Sequence, residues 1–95
     1  MEPRPLKTLP PDVTPDPRTA DFNETGIPHA LQQDHATKPG VWGRIVVESG
    51  ILRLTFAESG EEIPLNAGDT GIIAPEERHR VRAGETVMFH VEFCR

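Results

Sequence analysis

The sequence predicts an all-β domain of short antiparallel strands, a class indicated by two features. From residue 41 onward, short runs of β-branched and large apolar residues alternate with turns rich in Gly, Asn and Asp, at the spacing typical of a sandwich or small barrel. No stretch after residue 40 has the length and periodicity of an ordinary helix. A chain of 95 residues with a single cysteine is one small domain without an internal disulfide.

The first twenty residues are predicted to form an extended arm. Six of the 10 prolines lie before Ala20, and no helix forms at that density. We expect residues 1–20 to be either disordered or laid across the body or a neighbouring subunit, and residues 21–95 to form the β domain. Residues 21–33 remain ambiguous between an edge strand and a short helical turn after Pro28.

The stretch from His35 to Phe56 carries the strongest strand pattern and the only tryptophan. Residues 41–47 and 51–56 are predicted strands, and Glu48-Ser49-Gly50 between them is predicted to form a tight hairpin. By alternation, one face of the first strand carries Trp42, Arg44, Val46 and Glu48, and the other carries Val41, Gly43, Ile45 and Val47. Apolar groups on both faces favour a strand that is covered on at least one side.

The later strands are shorter and are separated by turns. Residues 63–65 contain Pro64, which favours an edge position. Residues 70–74 form a brief strand that ends at Pro75, and a further strand begins near His79. The final strand alternates clearly, with Val87, Phe89, Val91 and Phe93 on one face and Met88, His90, Glu92 and Cys94 on the other. The sequence leaves open which of these faces lines the interior.

Composition limits the partners of the chain. A formal net charge of -5 argues against binding to nucleic acid or to an anionic membrane, because both require a basic patch. The first residues contain no apolar secretory run, and no stretch is long enough to span a bilayer. A cytoplasmic location is therefore expected.

The residues able to carry chemistry are His35, His79, His90 and Glu92. Imidazole and carboxylate groups together suit zinc, iron, manganese, nickel or copper. His90 and Glu92 lie two residues apart and so share a strand face, but no local pair has zinc-finger spacing. For His29 we expect a surface role. Arg44 either anchors an anionic ligand or pairs with a carboxylate such as Glu48.

Several of these segments resemble a known family. A Gly-Asp turn, a short strand, Pro75 and then His79 resemble the second cupin motif. The fuller match is to a small cupin family of unknown function associated with tellurite resistance, which occurs alone or before a methyltransferase. It rests on five segments over residues 22–95: Ile27-Pro28-His29-Ala30-Leu31; Asp34-His35-Ala36-Thr37-Lys38; Gly40-Val41-Trp42-Gly43-Arg44; Pro75 with His79; and Phe89 with Val91-Glu92-Phe93 and Arg95.

The resemblance implies a cupin-like double-stranded β-helix, or jelly roll, and a metal site. His35, His79 and Glu92 match the family's pattern of two histidines and an acid, so they are the predicted metal ligands. Zinc is expected first, with nickel, iron and manganese as alternatives. The chain departs from the cupin pattern because it lacks the paired His-x-His of the first motif. His90 is a local addition, predicted with Arg44 and Trp42 to contact a bound ligand.

Three functions follow from this resemblance. The first is a metal-binding cupin that also takes a small anionic ligand or an oxyanion. The second is a metal-free binding module, and the third is a dimerisation domain without catalysis. A homodimer is expected, because a small sandwich with apolar residues on both strand faces has limited means to cover itself. Whether the chain catalyses a reaction is left open.

Overall fold

A computed structural model describes residues 9–11 and 13–95 and confirms the all-β class. The described ranges hold six antiparallel strands and one short 3₁₀ helix, His29–Gln32. The strands are β1 (Pro15–Arg18), β2 (Phe22–Asn23), β3 (Trp42–Phe56), β4 (Glu62–Asn66), β5 (Thr70–Ile73) and β6 (His79–Cys94). Within these ranges, no helix is both long and apolar enough to cross a membrane.

The sheet is organised around the two long strands, β3 and β6. They are 15 and 16 residues long and pair along their whole length, from Trp42 opposite Cys94 to Phe56 opposite His79. On the other edge of β3, β5 flanks the first half and β4 the second half. On the other edge of β6 lie β1 and β2. Pro64 lies on β4 at the end of the strand order, as its edge prediction requires.

The predicted hairpin at residues 48–50 is wrong, because β3 continues through this segment. Its pairing with β6 shifts between Val47 and Ser49 and again between Gly50 and Leu52. Such bulges bend a strand without reversing it. They also change which residues face inward, from Ile45 and Val47 before the bend to Leu52 after it. The polar Glu-Ser-Gly segment thus bends the sheet around the core.

The core lies on one face of this sheet. It contains the buried apolar residues Ile45, Val47, Leu52, Leu54, Phe56, Leu65, Ile73, Val81, Val87 and Phe89. Phe22 packs edge-on against Phe89, with ring centroids 5.6 Å apart. Gly71 leaves room for two leucines, since a Cβ there would lie 2.9 Å from Leu65 Cδ1. The inner face, which the sequence left open, is therefore the one that carries Ile45 and Val47 of β3 and Val87 and Phe89 of β6.

The described part of the proline-rich arm lies across the sheet of its own chain. Residues 15–18 pair with the end of β6, and Thr14 exchanges backbone hydrogen bonds with Arg95. Pro3 and Pro5 lie outside the described residues, and the division at residue 20 stays a prediction. Both alternatives for residues 21–33 occur, because this segment contains β2 and the 3₁₀ helix.

Candidate functional site

A cavity of about 470 Å³ lies between the sheet and the segment that precedes β3. Most of its lining is apolar. The sheet contributes Gly43, Ile45, Ile73, Val81, Phe89, Val91 and Phe93, and the preceding segment contributes Pro28, Ala30, Leu31, Ala36 and Val41. The inner faces of β3 and β6 thus form one wall of the cavity. Residues between Pro28 and Val41 form the opposite wall.

His35 and His79 stand in the wall of this cavity as a pair. Their main chains form an isolated antiparallel bridge, with N···O distances of 2.9 and 2.8 Å. Their ring centroids lie 4.2 Å apart, and the rings are tilted by 50°. His79 is buried and His35 half-buried. Two of the three predicted metal ligands are therefore brought together.

Both imidazoles are oriented in the same way by backbone carbonyl groups. His35 Nδ1 lies 3.1 Å from the Gln33 oxygen, and His79 Nδ1 lies 2.8 Å from the Glu77 oxygen. A carbonyl oxygen only accepts hydrogen bonds, so each Nδ1 carries the hydrogen. In a neutral ring the lone pair then lies on Nε2, which suits it to accept a hydrogen bond or to bind a metal.

The other predicted site residues lie on the opposite face of the sheet. Trp42, Arg44, His90 and Glu92 are absent from the cavity lining. In the register of β3 and β6, Arg44 is directly opposite Glu92, and these side chains form a part-buried ion pair with Nε 2.5 Å from Oε1. The Arg44 guanidinium is thus neutralised by Glu92 rather than by the expected Glu48 or by a ligand.

Glu92 consequently does not join His35 and His79. The face that carries Val87, Phe89, Val91 and Phe93 lines the core and the cavity, so Glu92 points away from both. Among the residues that the structure describes, these three do not place their ligand atoms within 4.8 Å of one another. The set implied by the family resemblance is therefore not assembled as a three-ligand metal site.

A different cluster of candidate ligands lies on the outer face, formed by Asp21, Glu48 and His90. Their ligand atoms all lie within 4.8 Å of one another. The His90 side chain is 8% exposed, and its Nδ1 is 3.4 Å from Glu48 Oε2 and 3.7 Å from Asp21 Oδ1. Two carboxylates and an imidazole are a donor set that suits zinc and other divalent transition metals.

The electrostatics of the cluster are dominated by its close carboxylates. A side-chain hydrogen bond with Glu48 is the main cause that lowers the pKa of Asp21, and Arg18 lowers it further. Arg18 Nη2 lies 2.5 Å from Asp21 Oδ1. One cation therefore already faces this cluster from β1.

Sequence reasoning missed Asp21 and Glu48, and it also missed Lys38 and Arg95 in the cavity lining. For Glu48 a signal existed in the alternation of β3, which places it on the same face as Arg44 and Val46. His90 belongs to this face as well, because it lies opposite Val46 in the pairing of β3 with β6. Asp21 is brought to the cluster by the chain just before β2, a placement that no local pattern indicates.

Comparison with known proteins identifies a family. Residues 17–91 match the model of the TehB-like domain. Among curated proteins, none matches this sequence significantly.

Solved structures share the fold. A protein from E. coli strain K12 superposes with a TM-score of 0.86 at 23% identity, over 95% of this chain and 97% of that one. TehB from Haemophilus influenzae superposes with a TM-score of 0.80 at 22% identity, and the match covers 88% of this chain and 32% of that one. A cupin-2 domain protein from Shewanella frigidimarina superposes with a TM-score of 0.56 at 16% identity, over 96% of this chain and 76% of that one. These similarities confirm the cupin-like architecture.

Proposed function

This chain belongs to the TehB-like domain family, and on that premise we propose that its cavity binds a small, mainly apolar molecule. The observation that carries the proposal is the cavity itself. Its volume of about 470 Å³ falls within the range of small-molecule sites, roughly 300–1,000 Å³. Its lining combines apolar side chains with a few polar groups, the composition typical of such sites.

The arrangement of the polar groups favours binding over turnover. The lining, as far as the structure describes it, contains no Ser, Cys, Asp or Glu. Its two hydroxyl groups are engaged with the backbone: Thr37 donates to the Val41 carbonyl, and Thr19 accepts from the Val91 amide. Within the described lining, no free hydroxyl or thiol group is therefore set beside the imidazoles as a nucleophile. The oriented His35 serves as a hydrogen-bond acceptor for a bound molecule.

A fluorescence titration tests this proposal. N-phenyl-1-naphthylamine is a neutral apolar probe whose emission rises in an apolar cavity, so saturable enhancement is expected. Gly43 lies in the lining, and a Cβ there would point at Ile73 and Thr37, 3.4 and 3.7 Å away. Enlarging it fills the cavity, so Gly43→Ala should weaken binding and Gly43→Val should weaken it more.

Ala67 provides the matched control, because it is exposed in the turn before β5 and does not line the cavity. Ala67→Val adds the same bulk elsewhere and should leave binding unchanged. If the probe binds all the variants equally, then it binds outside the cavity and the proposal fails.

A second candidate function is the binding of a divalent metal by Asp21, Glu48 and His90. The convergence of their ligand atoms supports it. Zinc is the first metal to test, with nickel, iron and manganese after it. His90→Gln in protein without a histidine tag should abolish stoichiometric zinc binding, whereas His79→Gln should leave it intact. The reverse result would favour a metal at the cavity histidines, as the family resemblance implies.

A further inference from the structure

The charged side chains in the described lining of the cavity are both cationic. They are Lys38 and Arg95, and this lining contains no Asp or Glu. This differs from the chain as a whole, which has 15 acidic and 10 basic residues. A cavity lined in this way favours a negatively charged group on whatever it binds.

Among the described residues, Lys38 and Arg95 lack the carboxylate partner that most of the arginines have. Arg18, Arg44, Arg53 and Arg80 each form an ion pair with Asp or Glu. Neither Lys38 nor Arg95 forms one with any residue in the described ranges. Their charges are therefore available to an anion at the cavity.

The other side-chain hydrogen-bond donors of the described lining are already used. The Thr37 hydroxyl donates to the Val41 carbonyl and the Thr19 hydroxyl to the Ala20 carbonyl. The imidazole Nδ1 atoms of His35 and His79 face carbonyl oxygens. The polar head of a ligand would thus meet the two cationic side chains as its principal donors.

From these observations we propose that the cavity takes an amphipathic anion, with an apolar body against the sheet and an oxyanion head at Lys38 and Arg95. This inference rests on the proposed function, because it specifies the class of molecule that the cavity binds. Both cations are exposed, so they select the head group while the apolar lining holds the body.

Three probes separate the contributions of head and body: octanoate, octan-1-ol and acetate. Calorimetric titration of the whole chain should show saturable binding of octanoate and octan-1-ol. Acetate carries the head without the apolar body and should bind much more weakly. Added salt should weaken the binding of octanoate and leave the binding of octan-1-ol unaffected, because salt screens only the ionic contact.

Charge-deletion variants complete the test. Lys38→Gln and Arg95→Gln should each weaken the affinity for octanoate about two- to fivefold, the range expected for exposed ion pairs. Both substitutions should leave the affinity for octan-1-ol unchanged. Arg82→Gln is the matched control, since Arg82 is exposed on β6 outside the lining and lacks an ion pair within the described ranges.

The two proposals fail in different ways. If octanoate and octan-1-ol both bind and neither responds to salt or to the two substitutions, the cavity is a neutral apolar site and the inference is overturned. If neither probe binds, the cavity is not a binding site, and the proposed function is lost together with the inference.

Discussion

His35 and His79 exchange both backbone hydrogen bonds across an isolated bridge, and their imidazole centroids lie 4.2 Å apart in the cavity wall. The bridge fixes the segment before β3 onto the start of β6. Carbonyl oxygens face both Nδ1 atoms, so hydrogen bonds to the main chain orient the two rings. The bridge therefore joins two segments of the cavity wall and places both imidazoles in the lining.

On the opposite face, Arg44 and Glu92 should contribute measurably to stability. Their side chains are 31% and 19% exposed, so the ion pair is only partly screened by water. A double-mutant cycle with Arg44→Ala and Glu92→Ala should give a coupling of about 1–2 kcal/mol in denaturant unfolding.

The ion pair of Arg53 and Glu62, whose side chains are 50% and 49% exposed, provides the control for this cycle. Its coupling should stay below about 0.5 kcal/mol. Equal couplings in the two cycles would show that the Arg44–Glu92 pair has no special role in joining β3 to β6.

Gly50 should tolerate no side chain at the bend of β3. A Cβ there would lie 2.0 Å from the Thr86 carbonyl oxygen, and φ is 76°. Gly50→Ala should therefore lower the free energy of unfolding by more than about 3 kcal/mol or prevent folding. Gly60 has a φ of 73° but no atom near its Cβ position, so Gly60→Ala should cost only about 1–2 kcal/mol. Similar losses at both positions would remove the steric explanation.

Glu24 should make part of the stability depend on pH. Its carboxylate accepts hydrogen bonds from its own amide and from the Val87 amide, which lower its pKa below the ordinary value of 4.5. A lowered folded-state pKa stabilises the protein above pH 4.5, and this contribution is lost as the pH falls through the lower value. Urea unfolding from pH 7 to pH 3 should therefore show a smaller decline for Glu24→Gln than for the unmodified protein. Parallel pH curves would contradict the contact.

Cys94 should resist modification in the native protein. Its side chain is fully buried, and burial raises the pKa of the thiol above 9.0. The thiolate is the reactive form, so an aromatic disulfide reagent at pH 8 should react at least about a hundredfold more slowly with the native than with the unfolded chain. Similar rates in the two states would show that the end of β6 opens readily.

The sequence predicted much of this fold because its strands follow simple alternation. In β6, Val87, Phe89, Val91 and Phe93 share one face, as the alternation predicts, and the structure shows that this face is the inner one. The hairpin at residues 48–50 was predicted wrongly because a polar Glu-Ser-Gly segment fits a turn and a bulge equally well. What distinguishes a bulge from a turn here is that Ser49 and Gly50 pair with Met88 and Val87 of β6, a contact between distant segments.

The candidate sites were harder to predict because they depend on contacts between distant segments. His35 and His79 could be singled out, but their bridge is not visible in either local pattern. Glu92 was grouped with them because it matches the acid of the family pattern, and alternation alone does not identify the inner face of β6. The cluster of Asp21, Glu48 and His90 requires the register of β3 on β6 and the path of the chain before β2.

The most direct test of cavity binding is an NMR titration that follows the ring signals of all four histidines. Two line the cavity, His35 and His79. His29 lies exposed in the 3₁₀ helix, and His90 lies on the outer face. Saturation with octan-1-ol should shift the signals of the cavity pair along one binding curve and leave the other two in place. Shifts at His29 or His90 without shifts at His35 and His79 would place the molecule outside the cavity and contradict the proposed function.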